Sequence, residues 1–175
     1  TTGDIGQLNA DGSVTIIDRK KNLFKLAQGE YIALEYLETV YGRVPELSQV
    51  WVWGDDLSNF LVAVVVPNWD AMQPKLLSIL GQSCPATREA MCSDDGVRSC
   101  VLQMMDSAAN DSKLLGFQRV KKIAVEMVPW TIEANLLTPT FKLRRGQLRS
   151  KYDAQLKQMY TETQPSTSTA KKATF

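Results

Sequence analysis

The chain contains no histidine. That removes Ser-His-Asp and Cys-His nucleophile arrangements, HExxH zinc sites and imidazole general bases together, leaving lysine, arginine, carboxylates and backbone to do any chemistry. Three clusters collect those groups. One is Leu137-Thr138-Pro139-Thr140-Phe141-Lys142-Leu143-Arg144-Arg145, a lone ammonium after a turn-forming run and just ahead of two guanidiniums. A second is Asp18-Arg19-Lys20-Lys21-Asn22-Leu23-Phe24-Lys25, with Gly29-Glu30 shortly after it. The third is Thr2-Gly3-Asp4. Groups of these types place charge against an anion, and a glycine lets backbone approach a ligand closely. Taken singly, each cluster also fits a plainer description as a turn, a solvated charged face or the start of a surface helix.

The elements that must position these clusters follow from periodicity. Ile5–Asn9 and Val14–Ile17 are short β-type segments joined through Asp11-Gly12, which predicts a hairpin over residues 4–17. Leu34, Leu37, Val40 and Tyr41 fall at helical spacing before Gly42 and Pro45. Leu47–Trp53 and Phe60–Val66 read as an antiparallel pair across a turn-forming cluster, the second strand nearly all apolar and so central. Helical spacing recurs over Asn68–Gly81 and Gly96–Leu115, around a Ser/Cys/Pro/Thr stretch that reads as a loop. Val120–Met127 is a third strand, and Leu143–Tyr160 a basic, polar helix ahead of a Thr/Ser-rich tail. The expected class is α+β, a mostly antiparallel sheet flanked by helices and preceded by a separate hairpin.

At 175 residues the chain is long enough for one well-buried domain. Its 20 Lys+Arg are offset by 19 Asp+Glu, so no global field points to nucleic acid, which is not an expected partner. Neither a P-loop pattern nor a G-x-G-x-x-G pattern is present. Cys84, Cys92 and Cys100 form no CxxC pair and no ligand set, so free thiols in a reducing compartment are expected and no metal site is. The longest apolar run is too short to span a bilayer. A start at Thr1 rather than Met suggests a piece of a longer protein whose targeting or anchoring signals lie elsewhere.

Together, in this order and spacing, the clusters resemble the C-terminal end of the adenylate-forming acyl-activating enzymes, and within them the eukaryotic long-chain acyl-CoA synthetases. Thr2-Gly3-Asp4-Ile5-Gly6, Asp11-Gly12 and Ile17-Asp18-Arg19-Lys20-Lys21 look like late motifs of the large domain and the junction after it. Lys25-Leu26-Ala27-Gln28-Gly29-Glu30-Tyr31-Ile32-Ala33 and Leu136–Arg145 follow the long-chain branch. Where that branch usually has Asn-Gly, this chain has Ala134-Asn135; asparagine is the next-best residue at positive φ, so the turn is expected to persist. Residues 68–115 match the longer insertion of eukaryotic members in length and character.

The resemblance implies a division into the final hairpin of a large AMP-binding domain (1–17), a hinge (18–23), a mobile C-terminal domain (24–160) and a disordered tail (161–175). It implies ATP with Mg2+, the ion bound mainly by an N-terminal domain absent from this chain, and fatty acid and coenzyme A as the other substrates. Asp4 would accept hydrogen bonds from the ribose hydroxyls, and Arg19 would add a donor on the ribose or phosphate side. Lys142 would be the catalytic lysine, bridging the attacking carboxylate and the α-phosphate. Lys21 would be the pivot between two working poses, and Lys25, Gly29 and Glu30 a loop facing coenzyme A in the second. Arg144 and Arg145 read as surface or helix-start residues.

Two other readings remain at this level. One is an aryl- or peptide-activating adenylation domain of the same superfamily. The other is a non-catalytic module binding nucleic acid or an acidic partner through Lys142, Arg144, Arg145, Arg149 and Lys151. An intracellular location is expected, with membrane association only through regions outside this chain.

Overall fold

The computed structural model describes residues 3–19 and 23–161. The first hairpin pairs β1 (Asp4–Leu8) with β2 (Val14–Arg19) around the Asp11-Gly12 turn, where Gly12 has φ +85°. Asp11 accepts from the Ser13 amide at 2.9 Å, closing the turn with a side chain. Asp18 and Arg19, expected in a connector, instead prolong β2, and a register shift falls between Ile5 and Gly6.

A second small hairpin, absent from the sequence expectation, pairs β3 (Leu23–Lys25) with β4 (Tyr31–Ala33). Three-residue strands are too short to show a period of two, so pattern could not reveal them. α1 (Leu34–Tyr41) follows β4 directly and buries Leu34, Leu37, Val40 and Tyr41.

β5 (Leu47–Gly54), β6 (Leu61–Pro67) and β7 (Val120–Val125) form the main sheet, with β6 in the middle. Every residue of β6 is buried, and its alternation explains why. Leu61, Ala63 and Val65 enter one core with α1 and the later helices, while Val62, Val64 and Val66 enter a second with Trp51, Trp130 and the last helix. A continuous apolar run is thus two interleaved faces.

The connection from β6 to β7 runs through α2 (Trp69–Leu80), a 3-10 turn at Gly81–Ser83, α3 (Arg88–Ser93) and α4 (Asp95–Asp111). The stretch expected as a loop is therefore partly helical. Thr87 and Asp94 supply the reason, since their side-chain oxygens accept from the Ala90 amide at 3.2 Å and the Val97 amide at 2.8 Å and so start two helices. β7 runs parallel to β6, as a long helical crossover permits, whereas the other three strand pairs are antiparallel. The α+β class holds with that refinement.

α5 (Arg145–Thr161) starts two residues later than periodicity suggests because Leu143 is held in a β-bridge with Leu137. Leu148, Tyr152, Leu156 and Met159 press α5 onto the second core. Tyr152 ties it further: Trp130 Nε1 donates to the phenol oxygen at 2.7 Å, and the phenol donates to Glu126 Oε2 at 2.6 Å.

Candidate functional site

Lys142 sits on a loop whose backbone is almost fully committed. The Phe141 amide donates to the Thr138 carbonyl at 2.8 Å, a turn that proline at its second position favours. The Thr138 amide donates to the Lys142 carbonyl at 2.8 Å, and the Lys142 amide donates to Thr138 Oγ1 at 3.0 Å. The Leu137–Leu143 bridge and an Arg144 amide donated to the Leu136 carbonyl at 2.9 Å close the base. Asn135 enters this hairpin at φ +59°, so asparagine does supply the expected positive-φ turn. Phe141 also has positive φ, +58°, an uncommon state for a bulky residue, and its ring is 74% exposed. The result is an exposed lysine on the arm of a tightly bonded loop, next to its tip at residues 139–141.

A groove of about 610 Å³ lies between this loop and α1, with Glu35, Glu38 and Thr39 on one wall and Thr138, Lys142 and Arg145 on the other. Glu38 is a group that helical spacing alone does not single out. Its Oε1 accepts from the Val52 amide at 2.9 Å and its Oε2 from Arg145 Nη2 at 2.6 Å, with only 12% of the side chain exposed. Burial pushes its carboxyl up to about 7, and the nearby Arg145 guanidinium and the Val52 N–H offset only part of that. A glutamate one residue after Leu37 on an amphipathic helix looks like an ordinary flanking charge, so sequence held no signal for it. Arg145 is correspondingly more than a helix-start residue, whereas Arg144 is exposed.

Lys25, Gly29 and Glu30 come together in the β3–β4 hairpin. The Gly29 amide donates to the Leu26 carbonyl at 2.8 Å, and the Leu26 amide to the Glu30 carbonyl at 3.0 Å. Gly29 has φ +94°, a backbone conformation in which a side chain is strained. The β5–β6 turn braces this hairpin from outside, as the Ala27 amide donates to Ser58 at 3.1 Å and Gln28 Nε2 to the Asn59 carbonyl at 3.3 Å. Lys25 Nζ lies 5.6 Å from the centroid of the Tyr31 ring.

Asp4 and Arg19 are register partners at the open end of the first hairpin. Lys21 lies outside the described residues, as does the tail beyond Thr161. The structure thus brings Lys25, Gly29 and Glu30 together, and Asp4 with Arg19, while Lys142 stands on a loop of its own. Among the described residues no group of three or more His, Cys, Asp or Glu side chains could hold a metal ion, and no helix is long and apolar enough to cross a membrane. Cys84, Cys92 and Cys100 are free thiols.

This order of hairpins, three-stranded sheet and helices is found in solved adenylation domains. The adenylation domain of carboxylic acid reductase from Segniliparus rugosus, solved with AMP and a co-purified carboxylic acid, superposes with a TM-score of 0.74 at 29% identity, over 93% of this chain and 23% of that one. That of a carboxylate reductase from Mycobacterium chelonae gives 0.72 at 30% identity, over 91% of this chain and 23% of that one. The fold is that of the C-terminal domain of the adenylate-forming enzymes. No family model matches the chain. Among curated proteins, fatty acyl-CoA synthetase A of Dictyostelium discoideum is 45% identical over 161 residues, 92% of this chain and 24% of that protein. Long chain acyl-CoA synthetase 2 of Arabidopsis thaliana is 44% identical over 165 residues, 94% of this chain and 24% of that protein. Over nearly its whole length the chain is similar to long-chain acyl-CoA synthetases of the adenylate-forming superfamily, and it spans about a quarter of the length of the curated relatives it matches.

Proposed function

We propose that this chain is the C-terminal part of a long-chain fatty acid:CoA ligase, which joins fatty acid and ATP to an acyl-adenylate with release of pyrophosphate and then passes the acyl group to the thiol of coenzyme A. The observation that carries the reading is the Lys142 loop, a stiff turn that presents one ammonium to solvent. In the first step Lys142 lies between the attacking carboxylate and the α-phosphate and offsets charge as the phosphorus becomes five-coordinate. Asp4 accepts from the ribose hydroxyls, and Arg19, its register partner, donates on the same side. Rotation about Lys21 then exchanges the Lys142 loop for the Lys25–Glu30 hairpin, whose Gly29 gives backbone access to the pantetheine arm.

Enzymes of this kind use ATP, Mg2+ and coenzyme A. The described residues offer no carboxylate cluster for the ion, so we assign Mg2+, adenine and the acyl chain to the larger N-terminal domain implied by the relatives' length. Three free thiols support an intracellular location for the whole protein. Against the basic-module alternative, Arg145 is paired with Glu38, Arg149 with Asp153 and Lys151 with Glu126, so three of its five cations already face carboxylates of the same chain.

Lys142→Ala in the complete enzyme tests the reading. Fatty-acid-dependent ATP–pyrophosphate exchange should fall by about 10²–10³, the loss expected for one oxyanion-type contact. Thioester formation from preformed acyl-adenylate and coenzyme A should stay near the parental rate. Equal slowing of both half-reactions would remove Lys142 from the adenylation role.

A further inference from the structure

The Lys142 loop has two legs, and they are anchored differently. The leading leg is fixed by burial, since Leu136 and Leu137 belong to the second hydrophobic core. The trailing leg runs through Leu143, Arg144 and Arg145 at the edge of the groove facing α1. Besides the bridge, the Arg144 amide and the packing of half-buried Leu143 against the rim of the same core, it is held by the Arg145 guanidinium on Glu38. Glu38 cannot yield easily, because its other oxygen is taken by the Val52 amide of β5 and its side chain is buried. α1, β5 and the far-off start of α5 therefore meet at the Glu38 carboxylate, which is gripped by an arginine three residues after Lys142.

We propose that Arg145, tied to Glu38, is a positioning residue for Lys142, fixing where the trailing leg crosses α1 and hence where the ammonium can reach. The inference rests on the adenylation role assigned to Lys142 above and adds the group that aims it. Arg145 does not itself touch substrate. A lysine side chain is long and flexible, so the placement of its Cα sets the volume that its ammonium searches; a displacement of about 1 Å at such a contact costs up to about a hundredfold in rate. A guanidinium suits this task better than an ammonium because it stays charged and is less strongly hydrated, and here its Nη2 alone makes the contact with Glu38.

The test uses the complete enzyme carrying Arg145→Ala, Arg145→Lys, Lys142→Ala and the Lys142→Ala/Arg145→Ala pair. Arg145→Ala should lower kcat for pyrophosphate exchange by about ten- to a hundredfold, with KM for ATP and fatty acid held within about twofold. Thioester formation from preformed acyl-adenylate should be unaffected, and Arg145→Lys should recover part of the loss. In the Lys142→Ala background, Arg145→Ala should add nothing, because a residue that acts through Lys142 has nothing left to aim. A purely structural role would instead slow both half-reactions and add its full effect to Lys142→Ala. Either of those results, or exchange at the parental rate in Arg145→Ala, overturns the proposal. If Arg145→Ala does not fold, Glu38→Gln and Arg145→Lys must show the same selective loss of the first half-reaction, and its absence counts equally against it. Loss of exchange in Lys142→Ala without loss in the Arg145 variants would sink this inference alone. Intact exchange in Lys142→Ala would sink the adenylation reading and this inference with it.

Discussion

At Glu38 two opposing effects meet one carboxylate. Burial favours the neutral acid, while Arg145 and the Val52 amide favour the anion, and burial prevails, raising it from about 4.5 to about 7. A folded-state value above the unfolded one means that the folded form binds the extra proton between them. The stabilising contribution is therefore complete below about pH 4.5 and is lost as pH rises through about 7, by up to about 3 kcal/mol. Glu38→Gln, which does not titrate, should remove this slope. Urea midpoints of parent and variant across that window should converge at low pH and separate towards neutrality, the variant gaining relative to the parent. Curves that stay parallel throughout would mean that Glu38 has an ordinary carboxyl. Gly29 poses a different residue-scale question, answered by backbone geometry alone: at φ +94° an added side chain is strained even though the nearest atom, Lys25 Cε, leaves room 3.9 Å away.

Among the elements, α5 matters most to the site because its first residue is Arg145 and the Lys142 loop leads directly into it. Its apolar residues hold it to the sheet, and Tyr152 adds a polar lock between Trp130 and Glu126, with Lys151 Nζ on the same carboxylate at 2.9 Å. Tyr152→Phe keeps the ring but strips the Trp130 indole N–H of its acceptor and Glu126 of a donor. Leaving a buried donor unsatisfied costs about 1–3 kcal/mol, so the variant should show a lower urea midpoint at unchanged slope. A loss under about 0.5 kcal/mol would mean that water replaces the phenol without cost. The same element explains a boundary that periodicity misplaced: Leu143 is apolar and helix-compatible, but its bridge to Leu137 holds it in extended pairing and delays the helix to Arg145.

For the molecule as a whole, the proposed chemistry is divided between this chain and the larger domain its relatives carry. In that proposal Asp4, Lys142 and the Gly29 hairpin act on a nucleotide or thiol held by the rest of the enzyme, and the described residues gather no cluster for Mg2+. The purified chain should accordingly give no fatty-acid-dependent pyrophosphate exchange above background. Robust exchange with palmitate would show that it carries a complete adenylation site, contrary to the assignment.

The sequence by itself determined the longer local elements and singled out the candidate groups. Short β-type segments around Asp-Gly mark the first hairpin, helical spacing marks α1, and the lone lysine after Thr-Pro-Thr-Phe marks the loop, because each of these depends on residues near one another in the chain. The positive φ of Asn135 was foreseeable from the resemblance, which puts a turn there, and from asparagine's tolerance of that state. The tertiary structure decided the rest. The parallel pairing of β7, the bracing of the Gly29 hairpin by the β5–β6 turn, and the meeting of Glu38, Val52 and Arg145 join residues far apart in sequence. A charged residue at a helix flank has the same spacing whether water or a half-buried guanidinium faces it. Only packing, by excluding water from around Glu38, turns that residue into a fixed point of the site.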